Sequence, residues 1–415
     1  MKIKILKNLK YRNLIYNYTK NIDNFFKNKK NTFYFGIDPT DDTLHIGHLL
    51  GISLINRLYK LGYKNIIILF GGATTLIKKN YNKIKINKNI KKIKKKLIKI
   101  IYNKNIKFIN NIKWYKKINI LNFIKKIFNI ISINSLLKIK IIKSLLKKNI
   151  NINFSFFIYH LLQGYDYLYL YKNYKCILQI GGSDQWYNII TGIKLIYKLY
   201  KKKVYGLTYP LLLNNKGIKF SKTNKNINNI WINKNKTSIY DFYQYFINLS
   251  DNESIKYLKF FVLINKKKIK KIIKLHKLYK KKKIIQNYLL KFFIYWIYNK
   301  KVYKEIIKVM YILFKKNNYI NIKKNILLIK KYIINISLLI NKNENFTIYK
   351  LIKLNKIIFN SFNEYKKFIK NKGKIFINCK NLKDDKINVN NLIFNKYLIF
   401  KKGKKQFFLL KILYN

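Results

Sequence analysis

Residues 32–72 read TFYFGIDPTDDTLHIGHLLGISLINRLYKLGYKNIIILFGG, and the change of period along them decides the fold. TFYFGID (32–38) has the composition of a strand, and Pro39 stops it. From Ile46 to Lys60 apolar residues recur at helical spacing, with Gly62 as the terminator. KNIIILFGG (64–72) then predicts a buried strand ending in a glycine pair. Strand, helix and strand in this order form a βαβ unit, which requires parallel strands and a right-handed crossover. The predicted fold class is therefore α/β, with a Rossmann-like doubly wound domain whose ligands sit beyond the carboxyl ends of the strands.

Outward from this unit, residues 87–171 read as mostly helical, and KCILQIGG (175–182) predicts another short strand followed by a helix from about Asp184 to Tyr200. Past Pro210 the chain becomes a Lys- and Asn-rich loop (214–229), then helical segments from about Ser238 to Ile340. NKNEN (341–345) is polar enough for a linker. The remainder shows helix-like spacing in 347–370 and strand-like runs KIFIN (374–378) and KYLIFKKGKKQFFLLKI (396–412). The expected division is a catalytic domain over 1–225, a helical domain over 226–340 and a small α+β domain over 346–415.

The composition sets bounds on this picture. Lys and Arg number 90 against 14 Asp and Glu, a formal charge of +76, while Arg occurs only at 12 and 57 and Ala only at 73. Drift toward A- and T-rich codons and a surface suited to polyanions both account for the charge, and both can hold. An apolar content of 49% over 415 residues excludes wholesale disorder and provides for two or three cores. No apolar run approaches the roughly 20 residues of a membrane helix, so no membrane partner is expected. The basic start MKIKILKNLKYRN lacks a long apolar stretch and a cleavage site. Cys176 and Cys379 have no partner spacing for a disulfide framework. A cytoplasmic location is expected.

Against this background the rare residues cluster. Residues 38–49 hold two of the four histidines, one of the two prolines and three of the fourteen acids. Asp166 and Asp184 join Asp38, Asp41 and Asp42, and Gly36, Gly47, Gly71, Gly72, Gly181 and Gly182 gather in the same stretches. HIGH (45–48) places two imidazoles three residues apart at a helix start, where free N–H groups favour an anion. Gly47 lets a flat group approach the backbone. The pair suits a nucleoside triphosphate, and no third residue has the spacing for a zinc site, so no metal is expected. KFSKT (219–223) offers two lysines and two hydroxyls on a loop able to fold over a pyrophosphate, although alone it reads as a solvated lysine loop. In YHLLQGYD (159–166), Tyr159, Gln163 and Asp166 fall at i, i+4 and i+7 on one helix face. A carboxylate on an otherwise apolar face demands a partner.

YFGIDPTDDTLHIGHL, QIGGSDQW and KFSKT, in this order, resemble bacterial-type tyrosyl-tRNA synthetases, a group of the class I aminoacyl-tRNA synthetases. The resemblance runs over nearly the whole chain. It implies that Tyr34 and Asp166 bind the substrate phenol, Tyr159 and Gln163 its amino group, and that Gln185 lies near its carboxylate. It further implies Thr40 and His45 at the γ-phosphate, His48 on the nucleotide, Asp184 on the ribose side, and Gly36, Asp38 and Gly47 in the ATP site. Lys219, Lys222 and Thr223 match the mobile loop. ATP is a substrate, accompanied by Mg²⁺ on its phosphates; L-tyrosine and tRNA(Tyr) are the other partners, and a homodimer is implied. No residue need be a nucleophile, because the substrate carboxylate attacks the α-phosphate; catalysis is positioning and charge stabilisation. Phenylalanine would leave the Tyr34 and Asp166 polar groups unpaired, which supplies selectivity.

SFNEYKKFIKNKGKIFIN (361–378) resembles the S4 RNA-binding module through Ser361, Glu364, Lys366, Lys367, Gly373 and Asn378. Its account as an RNA-reading surface stands beside that of a solvated charged face. Two departures from the synthetase pattern stand out. Lys79 replaces an expected Asp that meets the substrate amine, and Phe156 replaces a common Glu, whereas Lys83 matches the family's loop lysine. A raised KM for tyrosine is expected. A decayed synthetase that retains RNA binding, and a nucleotidylyltransferase acting on another small acid, are the alternative readings.

Overall fold

The computed structural model describes residues 2–76, 82–132, 137, 140–151, 153–213, 230–314, 319–340, 346–382, 384–387 and 392–414. Lys79, the Phe156 side chain, the KFSKT loop with Lys219, Lys222 and Thr223, and the 341–345 segment lie outside the described residues. The chain divides into two compact units, residues 1–232 with 252–278, and residues 233–251 with 279–415.

The first unit is built on a six-stranded sheet. Its strands are β1 (Asn17–Tyr18), β2 (Thr32–Ile37), β3 (Ile66–Phe70), β4 (Lys107–Asn110), β5 (Cys176–Gly182) and β6 (Tyr205–Tyr209), in the order β1-β6-β5-β2-β3-β4. β2 through β6 are parallel and only β1 runs against its neighbour. From β2 the chain winds one way to β3 and β4, then returns to the other side of β2 for β5 and β6. The carboxyl ends of β2 and β5 therefore flank the point where the winding reverses, and there the crevice opens. β3 is buried along its whole length, as expected for a parallel strand covered on both faces. The helix Ile46–Lys60 has the bounds that the apolar spacing predicts.

Some local readings need correction. Lys107–Asn110 is a strand within the stretch read as mostly helical. Four residues of Lys, Phe, Ile and Asn are too few to separate a period of 2 from one of 3.6. Ile334–Ile340 is likewise a strand, although the helical reading extended through it. Its Ile and Leu residues serve either state, and the alternating burial that distinguishes them appears only once a neighbouring strand is in place.

Helices Phe154–Tyr174 and Trp186–Tyr200 pack closely against one face. Their crossing depends on two glycines. A Cβ at Gly164 would stand 2.7 Å from Thr191 Cγ2, and one at Gly192 would stand 2.8 Å from Tyr167 Cβ. Bare backbone at both positions brings His160 and Gln163 on the first helix up to Asn188 on the second.

The two arginines serve this unit's frame. Arg12 Nη1 donates to Lys259 O at 3.1 Å and Val262 O at 3.0 Å, its Nη2 donates to Ile264 O, and Arg57 Nη2 donates to Phe260 O and Val262 O at 3.3 Å each. Ser53 Oγ adds bonds to Phe260 O and Phe261 O. These carbonyls end the helix Asp251–Phe261, where no intrahelical donor remains. A planar fork spans several carbonyls where a lysine ammonium could not, which explains why arginine persists in a chain otherwise given to lysine.

The second unit combines helices with a five-stranded sheet. Phe246 of the helix Ile239–Ile247 stacks on Phe293 of Ile284–Ile297 with ring centroids 4.4 Å apart. Strands β7 (Ile334–Ile340), β8 (Ile375–Ile377), β9 (Lys380–Asn381), β10 (Tyr397–Lys402) and β11 (Gln406–Tyr414) run in the order β7-β11-β10-β8-β9. Leu338, Phe359, Leu398, Phe400 and Leu410 form its core. The helix Phe362–Lys370 begins at Ser361, whose Oγ accepts from Glu364 N. Lys366 and Lys367 are exposed on this helix. No described helix is long and apolar enough to cross a membrane.

Candidate active site

A cavity of about 340 Å³ opens at the carboxyl ends of β2 and β5. Its lining includes Tyr34, Gly36, Asp38, Thr40, His45, Gly47, His48, Gln163, Asp166, Asp184 and Gln185, eleven of the positions that the sequence singled out. Tyr159 joins them through a hydrogen bond to Asp38. Lys366 and Lys367 lie in the other unit.

Tyr34 and Asp166 form the apolar-walled end. Tyr34 leaves the middle of β2, opposite Gln179 of β5, and packs edge-on against Tyr167 with centroids 5.3 Å apart. Its hydroxyl makes no hydrogen bond to the described residues, and burial beside Asp166 pushes its pKa well above the usual phenol value. Asp166 is framed by groups that the sequence reading missed. Asn111 Nδ2 donates to Oδ2 at 3.0 Å, and Trp114 Nε1 donates to Oδ1 at 3.1 Å. The Tyr115 hydroxyl lies 2.9 Å from Oδ1 and 2.7 Å from Leu162 O, its single proton serving both. Asn111 cannot turn over, because its Oδ1 accepts from Ala73 N at 2.7 Å. Trp114 in turn stacks on Tyr169 with ring centroids 4.2 Å apart. Burial raises the Asp166 pKa to about 7, against the pull of its hydrogen-bond donors; nearby Asp38 adds to the rise. Oδ1 is thus engaged twice and Oδ2 once, leaving an acceptor position on Oδ2 for a ligand's O–H. Trp114 is one of only four tryptophans, and its rarity was the available signal.

A second cluster lies along the pocket wall. Tyr159 donates to Asp38 Oδ2 at 2.7 Å, and Gln163 Nε2 donates to the Tyr159 hydroxyl at 2.9 Å. Burial first, and then the Asp38 charge, holds the Tyr159 phenol well above its usual range. Asn188 Nδ2 donates to Gln185 Oε1 at 2.9 Å and also to Gln163 Oε1.

At the open end the two histidines cap their own helix. Gly47 N donates to His45 Nδ1 at 3.1 Å, and His45 N donates to His48 Nδ1 at 3.2 Å. With each Nδ1 an acceptor, the proton of the neutral ring lies on Nε2. The imidazoles therefore stand beside the helix N-terminus as N–H donors, an arrangement suited to phosphate oxygens. Leu44 and Ile46 bond with Ile230 and Ile232, and Trp231 meets the His45 ring edge-on at 5.7 Å. Leu211 and Leu212 also line the cavity, so the described residues on both sides of the 214–229 segment lie at this site. At Gly36 an added Cβ would meet nothing within 4 Å and would occupy pocket space. Among the described residues no group of three His, Cys, Asp or Glu side chains is placed to hold a metal ion.

A crevice at the reversal point of a parallel sheet, with histidine donors at a helix start and a deep carboxylate, defines a class I synthetase architecture with a Rossmann-like α/β domain, a helical part and a C-terminal α+β part. The chain belongs to the tRNA synthetases class I (W and Y), whose family model matches residues 27–315. Among curated relatives, the tyrosine–tRNA ligase of Aster yellows witches'-broom phytoplasma (strain AYWB) is 35% identical over 412 residues, 96% of this chain and 97% of that protein. The tyrosine–tRNA ligase of Wigglesworthia glossinidia brevipalpis is 40% identical over 276 residues, 63% of this chain and 65% of that one. A C-terminally truncated mitochondrial tyrosyl-tRNA synthetase from Coccidioides posadasii superimposes with a TM-score of 0.62 at 25% identity, covering 71% of this chain and 88% of that one.

Proposed function

We propose that the chain is a tyrosine–tRNA ligase. It activates L-tyrosine with ATP to tyrosyl-adenylate and passes the tyrosyl group to the 3′ end of tRNA(Tyr). The observation that carries this reading is the pairing of an unengaged Tyr34 hydroxyl with an open acceptor position on Asp166, both lining one cavity. A phenol can donate to Asp166 and accept from Tyr34 at once. A phenyl ring would leave both unanswered, at the cost of desolvated polar groups.

In this reading Tyr159, Gln163 and Asp38 hold the ammonium and Gln185 faces the carboxylate. Thr40 and His45 meet the γ-phosphate, His48 the nucleotide, and Gly36, Gly47 and Asp184 the adenosine side. The carboxylate of the bound tyrosine attacks the α-phosphate, pyrophosphate leaves, and the imidazole N–H groups stabilise charge on the phosphates. Mg²⁺ enters on the ATP phosphates, and Lys219, Lys222 and Thr223 close over the leaving group. Lys366 and Lys367 contribute to binding tRNA, with the acceptor and recognition surfaces completed in a homodimer; the enzyme works in the cytoplasm. Tyrosine-dependent exchange of pyrophosphate into ATP tests the first step. A protein that binds tRNA but gives no exchange would be a binder and not a ligase, and exchange driven by a different small acid would identify another nucleotidylyltransferase.

A further inference from the structure

We propose that His160 is a positioning residue that, through Asn188, fixes which way Gln163 and Gln185 point their amides at the amino acid. The inference rests on the ligase reading and adds to it a pair of residues outside the substrate contacts.

The order of donors follows from one end. As a carboxylate, Asp38 can only accept, so the Tyr159 hydroxyl, 2.7 Å from Oδ2, must give it its proton. The Tyr159 oxygen then accepts from Gln163 Nε2 at 2.9 Å. That turns Gln163 Oε1 toward Asn188, where it needs a donor, and Asn188 Nδ2 supplies it. The second Nδ2 hydrogen goes to Gln185 Oε1 at 2.9 Å. Asn188 Oδ1 is left facing His160 Nδ1, with which it is hydrogen-bonded, and the imidazole must donate there. His160 thus carries its proton on Nδ1, the opposite of His45 and His48. Asn188 is 2% exposed and His160 8%, so water cannot easily substitute for either partner.

The consequence for the ligand is directional. With Oε1 of Gln185 held by Asn188, its Nε2 is available to donate to a carboxylate. With Gln163 donating to Tyr159, the tyrosine oxygen is committed to Asp38, and the carboxylate stays anchored where an ammonium would bind. Without the imidazole donor, only the two glutamine oxygens hold the Asn188 amide in this orientation, and its buried Oδ1 loses the partner that opposes a turn. If it turns over, its oxygen meets the two glutamine oxygens; Gln185 then turns to present its oxygen to the substrate carboxylate, and Gln163 turns its oxygen onto the Tyr159 hydroxyl. Burial lowers the His160 pKa, with the Asn188 bond opposing, which keeps the ring neutral and its single proton meaningful.

The test uses the full-length protein in tyrosine-dependent ATP–pyrophosphate exchange. His160→Leu should raise the KM for tyrosine about tenfold, the worth of one net buried hydrogen bond. The KM for ATP should stay within about twofold, since Thr40, His45 and His48 make none of the bonds named above and Asp38 stands at the far end of the chain from His160. His160→Asn, whose Nδ2 can donate from nearly the same place as Nδ1, should return the tyrosine KM to within about twofold of the parent. Asn188→Asp, isosteric but with no N–H for the glutamines, carries the same prediction as the leucine variant should leucine prevent folding. Thermal melts confirm that each variant compared is folded. An unchanged tyrosine KM in a folded His160→Leu or Asn188→Asp protein overturns the proposal. So does a His160→Asn protein as impaired as His160→Leu, or equal losses for tyrosine and ATP. Absence of exchange in the parent protein would instead overturn the ligase reading itself.

Discussion

Replacing Asp166 with Asn separates the two duties of its carboxylate. In the free protein three side chains converge on it, and Asn111 is locked by its bond to Ala73 N. An asparagine at 166 keeps its oxygen toward Trp114 and Tyr115 and sets an amide nitrogen against Asn111 Nδ2. One buried hydrogen bond is lost. Against this, a charge that burial disfavours is removed. The rise of the Asp166 pKa from 3.8 to about 7 corresponds to about 4 kcal/mol against the ionised form in the folded state. Stability at pH 8 should therefore be retained or raised in Asp166→Asn. Binding moves the opposite way. The phenol loses a charged acceptor, worth about 2 kcal/mol, so kcat/KM for tyrosine should fall about 30-fold. Phenylalanine should lose far less, because it never used that acceptor. Pyrophosphate exchange with each amino acid, and urea unfolding at pH 8, measure the two effects. A variant destabilised by several kcal/mol with tyrosine kcat/KM within threefold of the parent would show that Asp166 is a structural group and refute the reasoning.

Other outcomes follow from the same geometry. Tyr34→Phe removes a hydroxyl that bonds to no described residue and faces the pocket, so stability should change by less than about 1 kcal/mol while tyrosine kcat/KM falls about five- to tenfold; urea unfolding and exchange assays check both. The Asp166 carboxyl holds a proton in the folded state between about pH 4 and pH 7 that the unfolded chain has released. Its contribution to stability is therefore greatest at low pH and is lost as pH rises through 7. Between pH 5 and pH 8 the parent should lose about 3 kcal/mol relative to Asp166→Asn, and parallel urea curves across that range would contradict this. Arg12→Lys cannot span Lys259 O, Val262 O and Ile264 O together and should cost about 2 kcal/mol in unfolding free energy. Gly192→Val sets side-chain atoms into Tyr167 and should lower both stability and exchange activity by displacing the neighbouring helix, with about 1–3 kcal/mol of strain read in the unfolding midpoint.

The βαβ unit at 32–72 was legible because punctuation bounded it: Pro39, Gly62 and the glycine pair at 71–72 leave only one partition into strand and helix. The 87–171 stretch has little of that punctuation. There Lys107–Asn110 joins the sheet because β3 offers it an edge, a tertiary cause with no local mark. For the site, the acids, glycines and histidines stood out against a drifting composition, and ten of them line one cavity. Asn111, Tyr115 and Asn188 did not stand out, since Asn and Tyr are everywhere in this chain. Their role comes from where β4 and the Trp186–Tyr200 helix deliver them. Rarity alone does not mark the site: the scarce Arg12 and Arg57 persist for the carbonyls of a helix end, outside the cavity lining.

The most direct measurement is pyrophosphate exchange into ATP with the full-length protein, comparing L-tyrosine, L-phenylalanine and L-tryptophan at equal concentrations. The account predicts rapid exchange with tyrosine and only residual exchange with phenylalanine or tryptophan at the same concentration, because only a phenol answers both Tyr34 and Asp166. Comparable exchange with phenylalanine, or none with tyrosine, would contradict it.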